Sequence, residues 1–364
     1  MKKSLMKSLI LLTVVSSAFG ATAYAATSTK VYKISNGKTT FYNDGSNNFY
    51  QSIWTNAASL WNGTNNVSMS TGTTNDFRAG NKNESSADWD GINNTTYNTS
   101  TKLVTSSRSW VNEKYTTLSR YTTDIIKGIA THEFGHAIGL EHNDSEPSVM
   151  YSATFSYNSS TGEYTLKRTY TWPTNADKAG LNTKYGPTQY SSKIDINPEL
   201  SKFREVTIVE PSWAVEYEDI KGLGQNADLV VTGTVSNKDK KLLKSPDRPV
   251  SLETLSELVV DNIVKGENIS TGARLDINQM GGFDTNHAVI SDDTTLLQSG
   301  ESVLLFLKKN EDGTYRLINE DYSLFQTTNN LSKKQLTSDK ESIEYTNIKT
   351  NEVIDLNELA NLLQ

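Results

Sequence analysis

Three of the four histidines in this 364-residue chain, His132, His136 and His142, fall inside one eleven-residue run. That spacing restricts the local fold sharply. On an α-helix, residues four apart lie on one face, one turn above the other. Two imidazoles so placed can hold one zinc ion, and Glu133 beside them is positioned to activate a water on it. Gly139 can take a left-handed conformation, end the helix and turn the chain back. His142 then arrives as a third ligand. Three protein ligands and an open fourth position describe a catalytic zinc site rather than a structural one. A helical histidine pair alone is more often surface or satisfied core; the glycine and the third histidine favour the metal. The fourth histidine, in Asp284-Thr285-Asn286-His287, has no partner nearby in sequence and reads as an exposed loop residue.

The run His132-Glu133-Phe134-Gly135-His136-Ala137-Ile138-Gly139-Leu140-Glu141-His142 resembles the H-E-x-x-H-x-x-G-x-x-H signature of the metzincin zinc endopeptidases. Ser148-Val149-Met150-Tyr151 is similar to the methionine turn of that family. Within it, the chain is most similar to the matrixins. The resemblance rests on His132 to Leu140, on Met150-Tyr151, and on Asp177-Lys178-Ala179-Gly180-Leu181 followed by Lys184-Tyr185-Gly186. It implies an α+β catalytic domain, a mixed twisted sheet with three helices, that hydrolyses protein or peptide substrates. It also implies that Met150 forms an apolar floor beneath the imidazoles. Asp177 either bonds back toward the methionine turn, as in the family, or is a plain first-turn acid. Three departures leave specificity open. Asn143 follows the third histidine in place of Ser or Asp, Ser152 stands where Pro is usual, and Tyr157 to Tyr164 reads as an inserted hairpin beside the substrate pocket. Tyr151 lies too close to Met150 to act as a tyrosine ligand. No second histidine cluster exists for a structural zinc ion.

The N-terminus sets the compartment. Lys2, Lys3 and Lys7 precede an apolar run from Leu9 to Val15, and Ala23-Tyr24-Ala25 forms a small-x-small cleavage site. Residues 1–25 therefore read as a signal peptide, too short to span a membrane. With no lipid-attachment cysteine and no later spanning segment, the expectation is a secreted, extracellular protein. The chain has no cysteine, which points to a Gram-positive bacterium and rules out a cysteine-based latch. Only a few residues separate the cleavage site from the first expected strand, which leaves no room for a pro-domain. Residues 27–204 carry 17 Lys and Arg against 15 Asp and Glu, whereas residues 205–364 carry 15 against 27. An acidic second half argues against nucleic acid as a partner.

Patterning suggests a catalytic domain over 26–187, a linker over 188–204, a small all-β barrel over 205–328 and a charged tail over 329–364. In the first, Val31 to Ile34 reads as a strand. Phe49, Ile53, Trp54, Ala57 and Trp61 recur at helical spacing, with Ser46 or Asn48 as cap and Gly63 as stop. Trp110-Val111-Asn112 reads as an inner strand. The histidine helix is expected to start near Thr123 or Asp124, and a last helix to run from Thr174 to Tyr185. Asp88-Trp89-Asp90-Gly91 is a candidate calcium site, against the commoner reading of solvated turn acids. In the second half, 228–235, 258–266, 274–278, 302–307 and 314–318 read as strands that resemble an oligonucleotide-binding or netrin-type barrel in spacing and apolar patterning. Asp355 to Leu363 reads as a short amphipathic helix. Three roles stand open for this half: binding a surface or partner, docking on the peptidase to restrain it, or adding stability.

Overall fold

The computed structural model describes residues 25–186, 198–236, 241–244, 252–327 and 343–363. Almost all of the expected signal peptide, most of the 188–204 linker and the front of the tail lie outside them. The strand expected at Val31 to Ile34 is instead a strap. It makes isolated bridges, Thr29 to Leu140 and Lys33 to Leu103. Its Tyr32 and Ile34 are buried, and the Tyr32 hydroxyl donates to the His136 carbonyl at 2.8 Å. The first true strand, β1, is Lys38–Asp44.

Helix α1, Asn48–Asn62, is capped by Asn47, whose side chain accepts from the Tyr50 N–H at 3.2 Å. Ile53, Trp54, Ala57 and Trp61 are fully buried. Phe49, expected among them, is exposed; at the first turn its ring only edges onto Tyr50, which is buried instead. Strands β2 (Ser68–Thr71), β3 (Phe77–Lys82), β4 (Trp89–Asn98) and β5 (Val104–Asn112) follow. They lie in the order β2-β1-β3-β5-β4, all parallel except β4, which runs antiparallel to β5. After the one-turn helix α2 (Glu113–Thr116) comes α3, Thr123–Ala137. Helices α1 and α3 share one core against the sheet. The Phe134 ring meets Phe41 at 5.0 Å and Trp54 at 4.9 Å, and the Trp61 indole donates to the Thr131 carbonyl at 2.8 Å. Burying each such side chain contributes about 1.5–3 kcal/mol. The inserted hairpin is present as β6 (Ala153–Asn158) and β7 (Glu163–Leu166), and α4 is Asn175–Tyr185, with Thr174 and Asp177 forming a capping box.

The remaining elements are β8 (Glu205–Tyr217), α5 (Ile220–Asn226), β9 (Leu229–Val235), β10 (Lys241–Lys244), β11 (Leu252–Lys265), β12 (Arg274–Met280), β13 (Gly282–Phe283), β14 (His287–Ser291), β15 (Ser302–Lys309), β16 (Tyr315–Leu317), β17 (Leu324–Thr327), β18 (Glu344–Asn347), β19 (Val353–Asp355) and α6 (Leu356–Leu363). Five of them close a ring, β9-β11-β12-β16-β15 and back to β9, with β12 and β16 parallel. This is the five-stranded barrel expected from the pattern, filled by Leu229, Val231, Leu258, Ile277, Val303 and Leu305.

The boundary expected at residue 205 is not where the first sheet ends. Strand β8 pairs antiparallel with β4 along its length, and β14 pairs parallel with β8. The first sheet therefore takes ten strands, three of which, β8, β13 and β14, come from the second half of the chain. The reason is that β4 would otherwise present an unpaired, apolar-flanked edge, which folded proteins cover. Between sheet and barrel, Trp89, Trp110, Val209 and Trp213 pack with Leu252 and Val289. His287, expected in a loop, begins β14 and lies with its Nε2 2.7 Å from the Thr207 hydroxyl.

Candidate metal centre

Helix α3 starts at the Thr122 cap and buries Ile126, Ile129, Ala130 and Phe134 on one side. His132 and His136 fall one turn apart, ring centroids 4.6 Å from each other. The helix ends through Gly139 at φ +92°. The Gly139 N–H donates to the His136 carbonyl at 2.8 Å and the Leu140 N–H to the Gly135 carbonyl at 2.9 Å, a Schellman arrangement that needs a left-handed residue. A side chain there would also meet Lys184 and the Tyr32 carbonyl. The chain reverses, and the His142 ring comes within 4.8 Å of His136 and 5.3 Å of His132.

The imidazole ligand atoms of the three histidines all lie within 4.8 Å of one another. His132 Nδ1 lies 2.9 Å from the Val149 carbonyl and His136 Nδ1 2.9 Å from the Leu140 carbonyl, so each Nδ1 is the protonated donor. That leaves a lone pair on each Nε2, and those two atoms are 2.9 Å apart. His142 Nε2 is buried with no hydrogen-bond partner. Burial pushes all three imidazoles well below their ordinary range, His136 to about 3, with nearby cationic Arg168 and Lys30 adding to it. Neutral imidazoles whose lone pairs converge repel one another unless a cation sits among them. The donor set, with carbonyl-oriented rings, fits zinc.

Met150 is fully buried, its sulfur against the helix at Gly135, the residue before His136. A Cβ at Gly135 would overlap Met150 Sδ and touch the Trp61 ring. Gly135→Ala is expected to destabilise the chain by about 1–3 kcal/mol and to weaken zinc binding. A denaturant midpoint and a zinc titration equal to wild type would contradict this. Asp177 does reach the methionine turn, accepting from the Val149 N–H at 3.1 Å. The departures from the family pattern also have local partners. Asn143 donates to Thr27 Oγ1 at 2.9 Å, and Ser152 uses the N–H that proline lacks to reach Asp144 Oδ1 at 2.7 Å.

Glu133 is fully buried, and neither carboxylate oxygen has a hydrogen-bond partner. Burial drives its carboxyl well above the usual range, Arg168 opposing and Asp90 and Glu210 adding. Gly91 backs directly onto it: a Cβ there would collide with Glu133 Oε1. Beside it Arg168 donates to the Tyr151 carbonyl at 2.7 Å, Thr154 Oγ1 at 3.1 Å and Ser212 Oγ at 2.6 Å. Asp90 accepts from Tyr121 at 2.9 Å and Ser212 at 3.0 Å. The calcium site considered at Asp88 to Gly91 finds no support. Asp88 pairs with Arg316, Asp90 is spent on hydroxyls, and among the described residues only the histidines gather as a metal-holding group. Arg168, Lys30 and Glu210 were not foreseen. Arg168 lies just past the inserted hairpin, and the other two meet across 180 positions of sequence, where no local pattern signals contact.

Strand β8 lies over this centre. Its Ser212 is in register with Gly91, which backs onto Glu133, and its Glu210 pairs with Lys30. Burial pushes the Glu210 carboxyl up to about 8, Lys30 opposing. The well-formed cavity of about 260 Å³ is elsewhere, between β4 and the barrel, bordered by Trp89, Trp213 and Arg316.

Residues 52–183 match the family model of the Matrixin peptidases. The match ends before β8 and does not reach the barrel. Among curated proteins, none matches the chain.

Proposed function

We propose that this chain, whose matrixin domain implies a zinc metallopeptidase, is a secreted endopeptidase that hydrolyses extracellular proteins. The observation that carries the reading is the convergence of three histidine ligand atoms beside an unpartnered buried carboxylate. His132, His136 and His142 would hold the ion. Zinc, when bound, supplies Lewis acidity that lowers the pKa of its water toward ~7 and polarises the scissile carbonyl. Glu133 accepts a proton from the attacking water and passes it to the leaving amine. Its oxygens are not engaged by any other group of the protein, which leaves them to take and return that proton. The Val149 and Leu140 carbonyls fix the His132 and His136 imidazoles. Export is supported by the basic and apolar N-terminal segment with its Ala23-Tyr24-Ala25 site, and no described helix is long and apolar enough to cross a membrane.

A second reading, a partner-binding protein with a self-restrained peptidase domain, is favoured by the strand lying over the centre. Metal analysis and cleavage of casein by residues 27–364, before and after treatment with 1,10-phenanthroline, separate the two. One zinc per chain and chelator-sensitive cleavage are expected. Zinc without cleavage of any protein in a panel would favour the binding reading.

A further inference from the structure

We infer that β8 is an internal strand lodged in the place of a peptide substrate, and that it holds the metal centre shut until it is displaced. This rests on the peptidase reading above. An edge strand offers a row of backbone donors and acceptors that an extended peptide can complete. Without β8, the five-stranded sheet β2-β1-β3-β5-β4 ends at β4, the strand whose Gly91 backs onto Glu133. That edge is taken from Trp89 to Asn98 by residues 205–213 of β8. On its other side β8 is parallel to β6 over 213–217 and to β14 over 205–209. Only Glu210, Pro211 and Ser212 are paired on the β4 side alone. This gap is where the chain passes the centre, since Ser212 faces Gly91 and Glu210 pairs with Lys30, whose neighbour Tyr32 bonds His136. The Trp213 N–H points to the Ser152 carbonyl on the β6 side, so by alternation an N–H at position 211 would point into the gap. Proline has none, which lets this central strand cross an unpaired stretch without an orphaned donor.

β8 is therefore more than a strand that covers an edge. It runs between β4 and β6, the strand after the methionine turn, and the stretch beside the centre is paired with β4 alone. A substrate taking its place would run antiparallel to β4 and parallel to β6. The side chain in the Ser212 position would meet Asp90 and Arg168, the buried pair that both bond Ser212 Oγ. Arg168 thus becomes a residue that reads the substrate, favouring a small side chain with a hydrogen-bond acceptor. Because β8 is tethered, it competes at a high effective concentration, which a free peptide must overcome.

A reversible staple tests this in the full mature chain. Thr96 and Thr207 are directly opposite on β4 and β8 with hydroxyls 2.7 Å apart, so their side chains face each other across the strand pair as a cross-strand disulfide requires. Neither is bonded to His132, His136 or His142; Thr207 bonds His287 of β14, and the natural chain contains no cysteine. In the zinc-loaded Thr96→Cys/Thr207→Cys variant, oxidation is expected to cut casein hydrolysis about 100-fold relative to the reduced form. It should also slow zinc removal by 1,10-phenanthroline about tenfold. Reduction restores both. Equal hydrolysis and equal stripping in the two forms would overturn the proposal. If neither form cleaves protein although zinc is bound, the peptidase reading fails, and the stripping rates alone decide whether β8 closes the centre.

Discussion

Glu133→Ala leaves zinc bound and lowers protein hydrolysis by about 10²- to 10⁴-fold relative to wild type. His132 and His136 are oriented by the Val149 and Leu140 carbonyls and do not lean on Glu133. Both Glu133 oxygens lack partners, so removing them breaks no hydrogen bond of the fold. The buried carboxyl is costly where it stands, and alanine relieves that cost. Stability should therefore hold or rise while activity falls. Glu133→Gln separates charge from shape: it fills the same space beside Gly91 yet cannot take a proton, and should be as inactive as the alanine variant. Zinc stoichiometry, a denaturant midpoint and casein hydrolysis measured side by side check the set. A Glu133→Ala protein within threefold of wild-type hydrolysis would remove Glu133 as the base.

The histidine cluster was legible because its geometry is local. A four-residue step, a glycine and a further three-residue step are features of one helix and its cap, and α3 with its Gly139 reversal realises them. The aromatic stripe of α1 was legible for the same reason, apart from Phe49, where the first turn projects away from the sheet. The five barrel strands carry apolar periodicity strong enough to be read one by one. Strand β8 was not. Pro211 argues against a central strand, and nothing in Glu205 to Tyr217 shows that its partner is β4, over a hundred residues earlier. The ion pair of Lys30 with Glu210 and the clustering of Asp90, Arg168 and Ser212 are likewise products of that pairing. They appear only once β8 is laid on the edge of β4. Composition changes at residue 205, but the first sheet continues through β8.

Asp177→Ala is expected to cost about 3–5 kcal/mol of stability and to weaken zinc binding about 10- to 100-fold, although Asp177 touches no ligand histidine. The fully buried carboxylate collects five donors. Oδ1 accepts from Thr27 Oγ1 at 2.9 Å and from Ser148 Oγ; Oδ2 accepts from the Val149 N–H at 3.1 Å, the Thr174 N–H at 2.9 Å and Thr174 Oγ1 at 3.0 Å. Alanine leaves two backbone N–H groups buried without an acceptor, each costing about 1–3 kcal/mol, and opens a small void. The effect on zinc travels through one peptide unit. Asp177 holds the Val149 N–H, and the Val149 carbonyl holds His132 Nδ1. Ser148, also bonded to Asp177, accepts from the Met150 N–H at 2.8 Å and so fixes the backbone of the methionine turn. Asp177→Asn keeps the shape and can still offer one oxygen to the two N–H groups, while the Thr27 and Ser148 hydroxyl protons turn away so that their oxygens accept from its amide N–H groups. It should lose about half as much. Denaturant midpoints at unchanged slope, with zinc titrations of each variant, measure both quantities. If Asp177→Ala shifts stability by less than about 0.5 kcal/mol, Asp177 is a plain first-turn acid and the methionine turn is held by other contacts.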